Sequence, residues 1–201
     1  MAQTIEATKG FTMTQGAVAT RMDRGLIDRL VSWAGAVVAL ALVALGAAAI
    51  YGGSFALDNV RDRLEPQRIS FPPAEAMTAE ETAEVGSFAG QSVDTGTEAE
   101  AFSRYIGIHL ADINDGATYS ETSAAARAEG LPEDEAAALQ GQADALFKGE
   151  SLRAILLNAY GWWTVGQITF WAGAGMALAG LVLAVLVALG FRHARKARSA
   201  S

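Results

Sequence analysis

The chain has 201 residues, of which 51% are hydrophobic and 18% are charged, and its formal net charge is −7. With a mean hydropathy of +0.22, it is too apolar and too poor in charge for an average soluble domain. The absence of cysteine excludes disulfides, thiolate zinc sites and cysteine nucleophiles. The acidic balance gives no support to nucleic-acid binding.

Two long stretches contain no charged residue and no histidine: residues 30–57 and residues 154–191. Because about 20 apolar residues cross a bilayer, each stretch predicts a transmembrane helix. A cleaved signal peptide is the alternative for the first stretch, since Ala47, Ala48 and Ala49 are small enough for a signal peptidase. However, the stretch is longer than the roughly 7 to 15 apolar residues of a signal peptide, which favours a retained span.

The charge distribution predicts the orientation of these spans. Residues 58–153 carry 19 acidic and 7 basic side chains, a net charge of −12, whereas residues 192–201 carry basic side chains and no acid. Basic flanks stay in the cytoplasm, so both termini are expected there and the central region outside a plasma membrane. The basic tail also favours contact with anionic inner-leaflet lipids.

These observations predict a mainly α-helical integral membrane protein with two transmembrane helices and a small, mostly helical extracytoplasmic domain. In chain order, the predicted parts are a disordered cytoplasmic tail (1–23), transmembrane helix 1 (24–57), an acidic extracytoplasmic domain (58–153), a helix extension with transmembrane helix 2 (154–191) and a basic cytoplasmic tail (192–201).

The first helix is expected to begin near Arg24, with Trp33 at its inner end and Tyr51 and Phe55 toward its outer end, as in aromatic belts. Small residues that would admit a second helix lie four apart in two pairs: Gly35 with Ala39, and Ala44 with Ala48.

The outer region begins with alternating residues 68–71, which predict a short strand or extended arm closed by Pro72 and Pro73. Two segments, 78–81 and 97–100, fit the capping-box pattern, and the second is the stronger because helical periodicity follows it. That helix would place its apolar residues on one face and stop at residues 114–116: Ala99, Phe102, Ile106, Leu110 and Ile113.

A further helix is predicted from Pro132 to Lys148 and Gly149, followed by a last helix capped by Ser151. The uncharged residues 154–170 would extend above the membrane, where they must pack on the outer domain, lie among headgroups or contact another protein. The candidate interface residues are Leu156, Tyr160, Trp162, Trp163, Gly173, Ala177, Gly180 and Ala184.

The sequence predicts no catalytic, cofactor or metal site. His109 falls on the apolar face of its predicted helix, where a packed and hydrogen-bonded histidine is expected, and His193 lies in the basic tail. An iron site with two histidines would need both on one side of the membrane. Neither span contains an ionisable residue, which disfavours transport. A candidate apolar ligand pocket lies beneath His109 and Tyr119.

Several segments resemble a family of small two-span actinobacterial membrane proteins of unknown function. These are residues 60–71 (VRDRLEPQRISF), 86–90 (GSFAG), His109 followed by 116–119 (GATY), and 151–154 (SLRA). Many family members carry the label aromatic ring-opening dioxygenase. The resemblance implies two spans and an outer domain, but the dioxygenase label does not suit a chain whose two histidines are expected on opposite sides of the membrane. The Ala/Glu stretch 124–142 and the long N-terminal tail depart from the compact members.

We therefore predict a non-enzymatic membrane accessory or scaffold subunit of a larger envelope or respiratory complex. Its expected contacts are membrane lipids and either a membrane-protein partner or a second copy. The alternative is an extracytoplasmic sensor or ligand-binding membrane module, and a dioxygenase is a distant third.

Overall fold

A computed structural model describes residues 24–199, and the predicted disordered tail 1–23 lies outside the described residues. The described part is 85% helical and has no strand. Its α-helices are α1 (Arg24–Leu64), α2 (Ala79–Val85), α3 (Gly96–Ala111), α4 (Tyr119–Ala125) and α5 (Glu133–Ser199). Single turns of 3-10 helix lie at Glu65–Gln67, Ala74–Ala76, Gly86–Phe88 and Ile113–Gly116.

Helices α1 and α5 form an antiparallel pair along most of α1. Trp33 near the start of α1 packs edge-on against Phe191 near the end of α5, with ring centroids 6.0 Å apart. At the other end of the pair, Leu57 contacts the backbone position of Gly166. Both helices are long and apolar enough to cross a membrane, and only 11% and 6% of their most apolar windows are buried. The prediction of a mainly helical chain with two such helices is confirmed.

Buried small residues hold the two helices close together. On α1 they are spaced seven apart at Ala39, Gly46 and Gly53, and on α5 at Gly166, Gly173 and Gly180. A Cβ on Gly46 would lie 2.6 Å from the Ala177 amide nitrogen and 2.7 Å from the Gly173 carbonyl oxygen. Close backbone approach through small residues is how apolar helices associate without a hydrophobic driving force. The predicted pair Ala44 and Ala48 is instead exposed.

Residues 65–132, here called the helical domain, pack around the end of α1 and the first half of α5. The core contains Val60 and Leu64 from α1, Leu156 from α5, and domain residues between them: Phe71, Val85, Val93, Ala99 and Ala101. Phe71 lies at its centre, with ring centroids 5.4 Å from Phe88 and 5.2 Å from Phe102. The end of α1 and the first half of α5 are therefore part of the domain core.

Three capping boxes start the short helices. Thr78 with Glu81 begins α2, Thr95 with Glu98 begins α3, and Thr118 with Glu121 begins α4. The prediction of a box at 97–100 was wrong by two residues, because the Glu98 carboxylate accepts from the backbone amides of Asp94 and Thr95 at 2.8 Å. The Thr118 amide also lowers the pKa of Glu121, since it donates a hydrogen bond to the ionised carboxylate.

Two predicted features of the domain are different in the structure. Residues 68–71 form no strand within the described residues but a single antiparallel bridge between Ser70 and Ser92. The predicted break at Lys148 and Gly149 is absent, and α5 continues through it. Gly149 is buried against the Leu110 side chain, and the Ser151 hydroxyl donates to the Phe147 carbonyl inside the helix rather than capping a new one.

Candidate functional site

The predicted interface residues fall into two groups in the structure. Gly173 and Gly180 are buried against α1, with Ala177 beside Gly46. Leu156 is buried in the domain core, and Trp163 packs against the position of Gly96. Two of the predicted aromatic residues are exposed, Tyr160 at 39% and Trp162 at 60%, and Ala184 is exposed as well. Five of the eight residues thus contact other parts of this chain.

His109 and Tyr119, the residues of the predicted ligand pocket, do not line the groove described below, and that pocket stays a prediction. The His109 side chain is half exposed, because it lies near the end of α3 beyond the edge of the core. Tyr119 lies on the surface, with its ring 5.6 Å from that of Phe147. The expectation that His109 is packed on the buried face was therefore wrong, although the expected hydrogen bonding is present.

His109 connects α3 to the start of α2. Its Nδ1 lies 2.9 Å from the Tyr105 carbonyl oxygen and its Nε2 lies 3.1 Å from the buried carboxylate of Glu81. The other oxygen of that carboxylate accepts from the Thr78 amide, completing the α2 cap. Burial, and then the nearby Glu81 charge, raise the pKa of Tyr105. These contacts hold α2 and α3 together, which indicates a structural role for His109.

A groove of about 1200 Å³ lies where the helix pair meets the helical domain. Along α1 and the 3-10 turn that follows it, the groove extends from Gly52 to Gln67, and along α5 from Thr169 to Leu152. At 1.5 Å per helical residue, its length is roughly 20 to 25 Å. Its apolar walls come from α1, α3 and α5: Phe55, Val60, Phe102, Ile106, Ile155, Leu156, Trp162 and Val165.

Charged side chains line the groove at one end only, whereas the neutral polar residues Asn158 and Thr169 line it from α5. Asn59, Asp62, Arg63 and Gln67 lie on the last two turns of α1 and just after it. The Arg63 Nε donates to the Asn59 Oδ1 at 2.9 Å, which leaves the rest of its guanidinium available. The groove is therefore amphipathic. We call its mainly apolar end near Gly52 the apolar foot, and its charged end, one to two helical turns beyond Asp58, the rim.

A second apolar surface lies on the outer side of α5. Its residues recur three or four positions apart, so they form one stripe that faces away from α1: Leu157, Tyr160, Gly161, Thr164, Ile168 and Trp171. A Cβ on Gly161 would meet nothing within 4 Å. We call this surface the α5 stripe. Of its members, only Tyr160 was among the predicted interface residues.

The groove escaped prediction because its walls come from three elements that are distant in sequence. The α5 stripe was predictable, since its spacing is helical and its residues carry no charge. No cluster of three histidine or acidic side chains that could hold a metal ion occurs within residues 24–199. In comparisons with known proteins, no family model, curated protein or solved structure matches the chain. The family resemblance stays a prediction.

Proposed function

We propose that this chain is a two-span membrane protein with both ends in the cytoplasm and the helical domain outside. The uncharged segments of α1 and α5 lie side by side. The first charged residue after the uncharged segment of α1 is Asp58. Contacts between Gly53 and Gly166 place Asp58 about level with Trp163 on α5. Residues 154–163 would then lie beyond the hydrocarbon, among the headgroups and in water.

Cysteine labelling tests this topology, because the chain has no cysteine of its own. We expect Ser120→Cys, exposed on α4, to react with a membrane-impermeant maleimide in intact cells. His193→Cys, exposed near the end of α5, should react only after permeabilisation. Labelling of His193→Cys in intact cells with protection of Ser120→Cys would reverse the orientation, and labelling of both would exclude two spans.

The proposed function is that of a non-enzymatic accessory or scaffold subunit, which binds a partner membrane protein through the α5 stripe. The observation that carries this proposal is that the stripe is exposed within a segment of α5 that has no charged residue. Leu157 is 43% exposed and Ile168 is 65% exposed. Large exposed apolar patches mark protein–protein or membrane interaction sites. Leu157 and Tyr160 lie beyond the proposed hydrocarbon, where lipid chains would not cover them, which favours a protein partner. The small residues of α5 that contact α1 are not available to the partner.

Charge placed in the stripe should release the partner. We expect Leu157→Glu to reduce recovery of co-purifying membrane proteins at least ten-fold after mild detergent extraction, because a carboxylate would be buried unpaired in the contact. Ala137→Glu, on the exposed first turns of the same helix, is the matched control and should leave recovery unchanged. Equal recovery with both variants would count against a partner at this surface.

The groove supports a second function, that of an extracytoplasmic ligand-binding membrane module. Its volume exceeds the roughly 300 to 1,000 Å³ of most small-molecule sites, and its charged side chains occupy only one part of the lining. The scaffold and ligand-binding functions use different faces of α5, so substitutions can separate them. Leu157 is absent from the groove lining, and Ile155 is part of it.

A further inference from the structure

The position of the groove relative to the uncharged stretch of α1 indicates the chemistry of its occupant. The segment from Gly52 to Leu57 belongs to that stretch, so the apolar foot of the groove would lie within the hydrocarbon of one leaflet. Arg63 is five residues beyond Asp58, which corresponds to about 7.5 Å along the helix. The headgroup layer on each side of a bilayer is roughly 5 to 8 Å thick, so Arg63 would lie at phosphate height.

The charged side chains at the rim of the groove also suit an amphiphilic ligand, because its polar head would lie beside them. Arg63 is exposed and lines the groove, and the ion pairs found among residues 24–199 involve Arg104, Arg153 and His109 rather than Arg63. A guanidinium without a carboxylate partner is suited to binding a phosphate group. Asp62 lies beside it on the groove, which disfavours a headgroup carrying several negative charges.

We propose that the groove binds one phospholipid of the outer leaflet, with its phosphate at Arg63 and an acyl chain along Phe55, Trp162 and Val165. This inference rests on the proposed membrane placement but not on the scaffold function. The protein would hold this lipid longer than the lipids around its spans, because the walls enclose the chain on several sides and the phosphate has a charged donor. The partner-binding α5 stripe remains open while the lipid is bound.

Native mass spectrometry of the full chain, reconstituted with 1-palmitoyl-2-oleoyl-phosphatidylethanolamine and released from detergent, tests the proposal. We expect one phospholipid to survive activation that removes the others. Arg63→Gln should reduce this species roughly three- to ten-fold, the usual value of a charge-assisted contact at an exposed site. Arg61→Gln is the matched control, since Arg61 is exposed on the same turn and does not line the groove.

A second pair of variants tests the acyl-chain site. Val165→Trp should fill the acyl-chain part of the groove and abolish the retained species, whereas Ile168→Trp, on the α5 stripe outside the groove, should not. No retained phospholipid in the unmodified chain, or equal retention in Arg63→Gln and Arg61→Gln, would overturn the proposal. If no lipid is retained and Val165→Trp reduces the recovery of co-purifying protein, the groove holds a partner protein, which would also overturn the proposal. A wrong scaffold function would give a different result, namely unchanged recovery of co-purifying membrane proteins with Leu157→Glu.

Discussion

Gly173→Leu is expected to separate the two long helices. A Cβ at Gly173 would lie 2.7 Å from the Ile50 amide nitrogen and 2.8 Å from the Gly46 carbonyl oxygen. Both atoms belong to the backbone of α1, so no side-chain rotation relieves the overlap. Overpacking a buried site costs about 1 to 3 kcal/mol, and we expect the upper end or more here because whole helices must move. A lower midpoint of thermal unfolding in detergent is the measurement.

Gly175→Leu is the matched control for that result. Gly175 lies two residues along the same helix, and a Cβ there would meet nothing within 4 Å. Because leucine favours helix over glycine by up to about 1 kcal/mol, the control should be neutral or slightly stabilising. On α1, Gly53→Ala and Gly52→Ala form a second pair with the same contrast. Equal midpoints for Gly173→Leu and Gly175→Leu would mean that the helices are not packed as described.

The two apolar helices could be predicted because their signal is local. A charge-free run longer than a bilayer is read directly from the sequence and needs no knowledge of tertiary contacts. The small-residue contacts were only partly predicted, since Gly173, Ala177 and Gly180 lie at the pair but Ala184 is exposed. Gly46 and Gly53 are seven residues apart in the sequence. A spacing of seven would have identified the small residues of α1 at the helix contact better than a spacing of four.

The continuity of α5 was missed because local stop signals are weaker than packing. Gly149 follows a lysine and precedes a serine two residues later, which is the usual pattern of one helix ending and another beginning. In the structure, Gly149 is instead the point where the Leu110 side chain packs on α5, and a larger residue would not fit. Glycine in a helix can thus mark close contact rather than an end.

The error at His109 has a similar cause. Helical spacing placed it with Phe102 and Ile106, but the most buried residues of α3 are Ala99, Ala101 and Ser103 in its first half. The core covers the beginning of the helix and leaves its end exposed. Periodicity identifies a face and does not show how far along that face the burial extends. The candidate groove needed the three-dimensional arrangement of α1, α3 and α5.

Phe71→Ala should unfold the helical domain while the helix pair remains. Phe71 is 2% exposed and its ring also lies 6.3 Å from that of Tyr105, so it joins the extended arm to α3. Removing a buried phenylalanine side chain costs about 3 to 5 kcal/mol. Phe147→Ala is the control, because Phe147 is 58% exposed and should cost far less.

Labelling of a buried cysteine can report this loss without unfolding the spans. Val85 is fully buried, so Val85→Cys in the otherwise cysteine-free chain should react with maleimide only when the domain opens. We expect Phe71→Ala to accelerate that reaction by about a hundred-fold or more, since each 1.4 kcal/mol corresponds to a factor of ten. Unchanged labelling in Phe71→Ala would contradict its central place in the core. Because Ile69 packs against the core that contains Phe71 and also lines the groove, the same variant should also weaken retention of the proposed phospholipid.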